Sequence, residues 1–162
     1  MKILLVSATS DELSSLKHSL VFSGGSYHFN DHTLELLVSG VGMISTAYCL
    51  GKSLAIVKDF DFAINIGVAG SFNRSFELGE VVNVNRDSIF EIGAEDGTDF
   101  VPADQLGLVN RRDLVFESNN SCECAVLDNL KTANGITVNK VHGNQVTIEL
   151  LQKKNNHIMK EE

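Results

Sequence analysis

The 162-residue chain is long enough for one domain with a buried core, and a hydrophobic fraction of 43% argues against disorder. Thirteen basic residues against 21 acidic ones give a formal net charge of -8, with no basic patch, so nucleic acid and anionic membranes are poor partners. No apolar run approaches the roughly 20 residues of a membrane span, and the short apolar start does not resemble a signal peptide.

The three cysteines, Cys49, Cys122 and Cys124, are odd in number and have no metal-binding or redox spacing. This pattern is typical of reduced thiols in a cytoplasmic protein. We therefore expect neither a bound metal nor a cofactor.

In chain order, the first predicted element is a strand over residues 2–8 that is buried on both faces. Thr9 and Glu12 have the spacing of a capping box, which predicts a helix that ends at the glycine pair 24–25. A hairpin is predicted over residues 27–39.

The later elements alternate between helix and strand. A 4, 3, 4, 3 spacing of apolar residues predicts a helix over 43–57, and clean alternation predicts a central strand over 60–66. Residues 91–104 indicate a long surface loop. The remaining predictions are strand material over 80–84 and 88–91, a helix over 126–133 with Gly135 as its cap, a strand over 136–141, and a last helix through Leu151.

Three glycine-rich turns, at 39–42, 67–71 and 142–144, each follow a predicted strand. In α/β sheets, ligands bind at the carboxyl ends of strands, where glycine lets backbone amides approach them. For any one turn taken alone, a tight connection between strand and helix is the better explanation. None has the spacing of a dinucleotide-binding or Walker loop.

Several single residues can each be interpreted in two ways. Glu12 is a candidate general base for water, or a capping residue worth about 1 kcal/mol or less. His142 is a candidate general acid, or a hydrogen-bonded turn residue. The acidic cluster Glu91, Glu95 and Asp96 is typical of a solvated loop.

Taken together, the motifs resemble one superfamily, the nucleoside phosphorylases and nucleosidases. Four segments are similar to methylthioadenosine/S-adenosylhomocysteine nucleosidases: 1–12, 39–43, the INIGVAGS motif at 64–71, and LGEVV at 78–82. Two more, 90–97 and 137–144, are similar to the futalosine hydrolase branch, which releases hypoxanthine from futalosine in an alternative menaquinone route.

The resemblance implies an α/β fold with three layers, a twisted mixed β-sheet flanked by helices. It covers residues 1–162 as a single nucleosidase-like domain. Members of the superfamily continue through a Met-Glu-Gly segment and a purine-binding acid. We therefore expect the chain to lack the C-terminal segment of the fold, with Glu162 near the position of the ribose-binding glutamate.

The resemblance also implies a site. Glu12 is expected to act on the nucleophilic water, and substrate contacts are expected from Gly42, Ala69, Gly70, Val141, His142 and Glu162. Superfamily phosphorylases carry a phosphate-binding arginine in the loop after the first strand. Here residues 7–12 hold two carboxylates and no arginine, which favours water over phosphate.

The expected function is hydrolysis of the N-ribosyl bond of futalosine. The alternatives are a methylthioadenosine/S-adenosylhomocysteine nucleosidase and a purine-nucleoside-binding remnant without catalysis. The expected partner is a small purine nucleoside, with a homodimer for the complete enzyme.

We expect the 162-residue chain to fold but to be nearly inactive. In the superfamily, the purine-binding acid that follows the Met-Glu-Gly segment is the general acid that protonates the departing purine. Loss of a general acid costs roughly 10²–10⁴-fold in rate. Without the closing strand and helix of the superfamily, apolar faces of the sheet and helices should be uncovered. We expect this to reduce solubility or to change the oligomeric state. Assays with futalosine and methylthioadenosine, beside sizing chromatography, test this, and turnover equal to that of a complete homologue would contradict it.

Overall fold

The computed structural model describes residues 1–97, 99–118 and 125–158, with side chains described as far as residue 152. Cys122, Cys124 and Glu162 lie outside the described residues. The chain divides into two compact units, Met1–Gly70 and Ser71–Glu162.

The first unit is built on a five-stranded mixed sheet in the order β2-β3-β4-β1-β5. Strand β1 runs parallel to both of its neighbours, β4 and β5, whereas β2, β3 and β4 form an antiparallel meander. The elements are β1 (Lys2–Ser7), α1 (Ser14–Lys17), β2 (Val21–Ser23), β3 (Ser26–Phe29), β4 (His32–Val38), α2 (Met43–Ile56) and β5 (Phe62–Asn65).

The core of this unit centres on β1, which has a parallel neighbour on each side. Leu4, Leu5 and Val6 are buried, as are Leu13 just before α1 and Leu34 on β4. The continuous apolar run of β1 follows from this position, because a strand of a parallel sheet is covered on both faces. The predicted first strand is confirmed, ending at Ser7.

The glycine pair Gly24 and Gly25 does not end a helix as predicted. Helix α1 has four residues, and the pair forms the turn of the β2–β3 hairpin, with φ angles of 60° and 85°. Two consecutive left-handed residues give a turn whose twist matches that of antiparallel strands, and glycine adopts that conformation without steric cost.

The capping-box prediction is correct only in part. Glu12 accepts the Thr9 N–H, which is one half of the motif, but α1 begins at Ser14, so Glu12 precedes the helix. The Thr9 hydroxyl donates to the Glu12 carboxylate and not to a backbone amide of a first turn. The helix predicted over 43–57 and the hairpin predicted over 27–39 are both confirmed.

Strand β5 was predicted to be central, but it lies at one end of the described sheet. Its residues Ala63, Ile64 and Asn65 are exposed. Alternation of apolar and polar residues shows that a strand has two different faces, but it carries no information about the strand's order in a sheet.

The second unit contains a three-stranded sheet in the order β10-β6-β9 and a separate hairpin of β7 and β8. Strand β6 is parallel to β10 and antiparallel to β9. The elements are β6 (Val82–Ile89), β7 (Gly93–Asp96), β8 (Asp99–Pro102), a 3-10 helix (Arg111–Asp113), β9 (Val115–Glu117), α3 (Ala125–Asp128), β10 (Lys131–Thr137) and α4 (Gln145–Ile158).

Several predictions in this unit are wrong. The helix predicted over 126–133 ends at Asp128, and the strand predicted over 136–141 is β10, which begins at Lys131 and ends at Thr137. Residues 91–104 contain the β7–β8 hairpin, in which Pro102 ends β8. Gly135 lies inside β10 and caps no helix. A Cβ on Gly135 would lie 2.8 Å from Asp87 Oδ1, so the glycine makes room for the Asp87 side chain on the neighbouring strand.

Helix α4 is the predicted last helix, and its start is explained by Asn144. The Asn144 Oδ1 atom accepts the Val146 N–H at 3.0 Å, as a helix N-cap residue does. Among the described helices, none is both long and apolar enough to cross a membrane.

We predict that Leu13→Ala lowers the free energy of unfolding by about 2–5 kcal/mol, because the side chain is fully buried. Ile44→Ala, at a side chain of α2 that is 86% exposed, should change it by less than about 0.5 kcal/mol. Urea denaturation of both variants measures the difference, and equal losses would contradict the described core.

Candidate functional site

Glu12 lies in the turn between β1 and α1, and its carboxylate accepts four hydrogen bonds. Three donors reach Oε2: the Ser7 hydroxyl at 2.8 Å, the Thr9 N–H at 2.9 Å and the Thr9 hydroxyl at 3.0 Å. The Val68 N–H donates to Oε1 at 3.1 Å. We call this carboxylate and its donors the Glu12 cradle.

The Val68 amide comes from the turn after β5, the parallel neighbour of β1. The Ile66 N–H donates to the Val6 carbonyl at 2.9 Å, which carries the β1–β5 pairing past the end of β5. The cradle therefore forms where the carboxyl ends of two parallel strands meet, the edge at which α/β sheets bind ligands.

Gly67 makes the close approach of the carboxylate possible. A Cβ on this residue would lie 2.9 Å from Glu12 Oε1 and 3.4 Å from its Cδ. The backbone of Gly67 is not left-handed, so the glycine serves clearance and not an unusual turn. The Gly67–Val68 step thus contributes one amide donor and the space that lets Glu12 reach it.

Hydrogen bonding lowers the pKa of Glu12 from 4.5 to about 2. The Ser7 hydroxyl contributes most, followed by the Val68 and Thr9 amides, and these outweigh the opposing effect of burial. At neutral pH the group is therefore fully ionised. A carboxylate with so low a pKa is a weak proton acceptor, but it is a fixed negative charge that can hold a water or face a cation.

The two oxygens of Glu12 differ in what they can still accept. In the part of the chain that the structure describes, Oε2 has three donors, whereas Oε1 has one, the Val68 amide. A carboxylate oxygen accepts about two hydrogen bonds comfortably. A ligand or water would therefore be held at Oε1.

Three predicted binding residues lie in turns of the same unit. Gly42 is the N-cap of α2 with a φ of 97°, which favours glycine, and apart from its chain neighbours no atom of the described residues lies within 4 Å of where its Cβ would be. Ala69 and Gly70 are exposed and follow Val68 directly. Within the glycine motif at 67–70, the residues that contact Glu12 are Gly67 and Val68.

In the second unit, His142 lies beside Glu91. The His142 Nε2 atom is 2.8 Å from Glu91 Oε1, and the imidazole side chain is 5% exposed. Among the described residues, the Nε2 atom makes no well-aligned hydrogen bond, so the contact with Glu91 is a charge pair whenever His142 is protonated. Val141, the preceding residue, is 94% exposed.

This pair lies beyond the ends of two parallel strands. Glu91 follows β6, and the Phe90 N–H bonds the Thr137 carbonyl at the end of β10 at 2.9 Å. Glu91 has a φ of 68°, an uncommon value for a residue with a side chain. The predicted acidic cluster is thus divided, because Glu95 and Asp96 lie on β7 with exposed side chains.

Sequence reasoning missed Ser7, the Thr9 hydroxyl and the Val68 amide as partners of Glu12, and Glu91 as the partner of His142. Ser7 gave one indication, since a hydroxyl as the last residue of an otherwise apolar buried strand needs a partner. The Val68 amide is 56 residues from Glu12 in the chain, and the types of the residues give no indication that the two groups meet.

No protein-family model matches the chain, and no curated protein matches it. Solved structures do. The MTA/SAH nucleosidase of Streptococcus pneumoniae, in complex with 8-aminoadenine, has a TM-score of 0.68 at 23% sequence identity, covering 94% of this chain and 71% of that one.

Two further nucleosidases are similar in structure. The S-adenosylhomocysteine nucleosidase of Streptococcus pyogenes, in complex with 5-methylthiotubericidin, has a TM-score of 0.68 at 20% identity, covering 94% of this chain and 69% of that one. The 5'-methylthioadenosine/S-adenosylhomocysteine nucleosidase of Neisseria meningitidis, in complex with methylthio-immucillin-A, has a TM-score of 0.67 at 16% identity, with coverages of 94% and 71%.

At these identities the likeness establishes the fold. The chain has the α/β fold of the nucleoside phosphorylase-like nucleosidases, with mixed sheets flanked by helices, which confirms the predicted fold class.

We predict that Glu12 makes stability depend on pH in the acid range. Because folding lowers its pKa, the carboxylate contributes its full stabilisation above about pH 4.5 and loses it as the pH falls towards about 2. The difference in unfolding free energy between the wild type and Glu12→Gln should therefore shrink over that range. Urea denaturation at several pH values measures it, and a constant difference would contradict the described cradle.

Proposed function

We propose that this protein is a nucleosidase that hydrolyses the N-ribosyl bond of a purine nucleoside, with Glu12 as the carboxylate beside the water. The observation that carries the proposal is the Glu12 cradle: an ionised carboxylate held by four donors at the carboxyl ends of β1 and β5. It lies in the fold of known nucleosidases.

The chemistry requires a fixed negative charge. As the bond between ribose carbon and purine nitrogen breaks, the purine leaves with the electron pair and takes up a proton, and the sugar gains positive charge. Water then forms a new carbon–oxygen bond and gives up one proton, so that the overall reaction adds water across the broken bond. A carboxylate near the sugar stabilises this cation. With a pKa of about 2, Glu12 is a poor base for free water. The water becomes strongly acidic as its oxygen bonds to the sugar, so Glu12 can accept its proton late in the step.

Water is favoured over phosphate as the nucleophile. The loop around the cradle carries Asp11 and Glu12, and no arginine lies within residues 7–12. A phosphate dianion at Oε1 would meet a carboxylate that stays ionised at neutral pH. Two like charges about 4 Å apart repel by roughly 1–4 kcal/mol, depending on the local dielectric.

Two substrates remain in competition. Futalosine, with release of hypoxanthine, is supported by the resemblance of segments 90–97 and 137–144 to futalosine hydrolases. Methylthioadenosine and S-adenosylhomocysteine are supported by the solved structures, which are nucleosidases named for those substrates. A purine-nucleoside-binding protein without catalysis is the third possibility.

We further propose that substrate contacts come from Gly42, Ala69, Gly70, Val141, His142 and Glu162, the last outside the described residues. We also retain, as proposals, one nucleosidase-like domain over residues 1–162, a cytoplasmic location and a homodimeric complete enzyme.

Product analysis tests the function. The protein with every residue its gene encodes is incubated with futalosine or methylthioadenosine in phosphate-free buffer, and the products are separated by chromatography. Hypoxanthine from futalosine supports the first substrate, and adenine from methylthioadenosine supports the second. Formation of ribose-1-phosphate when phosphate is added would overturn hydrolysis. Binding of a nucleoside without its cleavage would overturn catalysis and support the third function, a nucleoside-binding protein.

For the same protein, we predict that Glu12→Gln lowers turnover by roughly 10²–10⁴-fold. The amide removes the negative charge, and its NH₂ group cannot accept a hydrogen bond as the second carboxylate oxygen did. Glu35→Gln, on β4, is the matched control and should keep turnover near the wild-type value. Near-normal turnover in Glu12→Gln would mean that the cradle serves stability alone.

A further inference from the structure

We propose that Ser7 is the positioning residue of Glu12: its buried hydroxyl fixes the carboxylate so that Oε1, and not Oε2, faces the reacting water. This inference rests on the proposed function. It concerns how the chain sets the orientation of its carboxylate, a role that the sequence motifs do not assign to Ser7.

The hydroxyl is held in place by its strand. Ser7 is the last residue of β1 and is fully buried. Its carbonyl accepts the Ser39 N–H at 2.9 Å from the chain just after β4, so the backbone at Ser7 is anchored to the neighbouring strand. The hydroxyl is therefore carried by backbone that is hydrogen-bonded into the sheet.

The proton of this hydroxyl has two acceptors, Glu12 Oε2 at 2.8 Å and the Thr9 carbonyl at 3.0 Å. Both acceptors lie in the turn that carries Glu12. One buried hydroxyl thus ties the carboxylate and the backbone of its turn to the end of β1. Rotation of the carboxylate would break the shorter of the two contacts.

Thr9 also donates to Oε2, but its position is different. Thr9 is half-buried in the turn itself, so its hydroxyl moves with the turn, whereas Ser7 belongs to the sheet. The Thr9 amide and hydroxyl share Oε2 with Ser7, which leaves Oε1 to Val68 and a ligand. Ser7 is therefore the donor that sets the carboxylate relative to the strand ends.

The first test is a titration of Glu12 by carbon-13 NMR, without substrate. We expect Ser7→Ala to raise the pKa of Glu12 from about 2 towards 4.5, because Ser7 is the largest contributor to its lowering. Thr9→Ala should raise it less, since the Thr9 amide remains. Ser14→Ala, which removes a hydroxyl donating to the Asp11 carbonyl in the same turn, should leave it unchanged.

A second variant guards against loss of folding. Ser7→Cys keeps nearly the same shape and replaces the hydroxyl with a weak donor, so it should also raise the pKa of Glu12. A Glu12 pKa that stays near the wild-type value in both Ser7 variants would overturn the inference. So would a larger shift in Thr9→Ala than in Ser7→Ala.

The second test is kinetic. In Ser7→Ala we expect turnover to fall by roughly 10–100-fold, the usual effect of removing the partner that orients a reacting group, with KM little changed. The acid limb of the pH profile should move upward with the pKa of Glu12. A fall in turnover without that movement would overturn the positioning role. Absence of turnover in the wild type would overturn the proposed function, and the NMR result would still decide whether the Ser7 hydroxyl holds the Glu12 carboxylate.

Discussion

The site depends on one interaction, the capture of the Glu12 carboxylate by donors at the ends of two parallel strands. The Ser7 hydroxyl comes from the end of β1 and the Val68 amide from the turn after β5. A buried or half-buried charge is costly unless it is hydrogen-bonded, so the ionised carboxylate and the strand ends stabilise each other. The same contacts that hold the turn in place keep the carboxylate charged at neutral pH.

Much of the first unit could be predicted from local sequence, since its elements depend on patterns that are themselves local. The apolar run of β1, the spacing along α2 and the turn between β3 and β4 each have one natural structure. The predictions that failed rested on patterns that are compatible with two different structures. A glycine pair ends a helix or turns a hairpin, and Gly135 is a cap or a clearance beside Asp87, depending on contacts far away in the chain.

The candidate site shows the same division. Resemblance of motifs made Glu12 a candidate, and its spacing from Thr9 predicted one donor. The Ser7 and Val68 donors are visible only in the structure, because the Val68 amide is set by strand pairing and not by residue type. The contact between His142 and Glu91 joins residues that local sequence places in a turn and a solvated loop. Side-chain identity marks groups capable of chemistry, whereas the partners that tune them are decided by topology.

A glycine can be required for an unusual backbone conformation or for the space that a side chain would fill, and Gly67 is required only for the space. Its backbone conformation is open to any residue, so a side chain there need not disturb the turn, yet its first carbon would press on Glu12 Oε1. A side chain at position 67 would therefore push against the Glu12 carboxylate and would not need to change the path of the backbone. A substitution at Gly67 can therefore leave the protein folded while it displaces the Glu12 carboxylate. One added carbon atom is compatible with the backbone at this position but not with the position of the charged group.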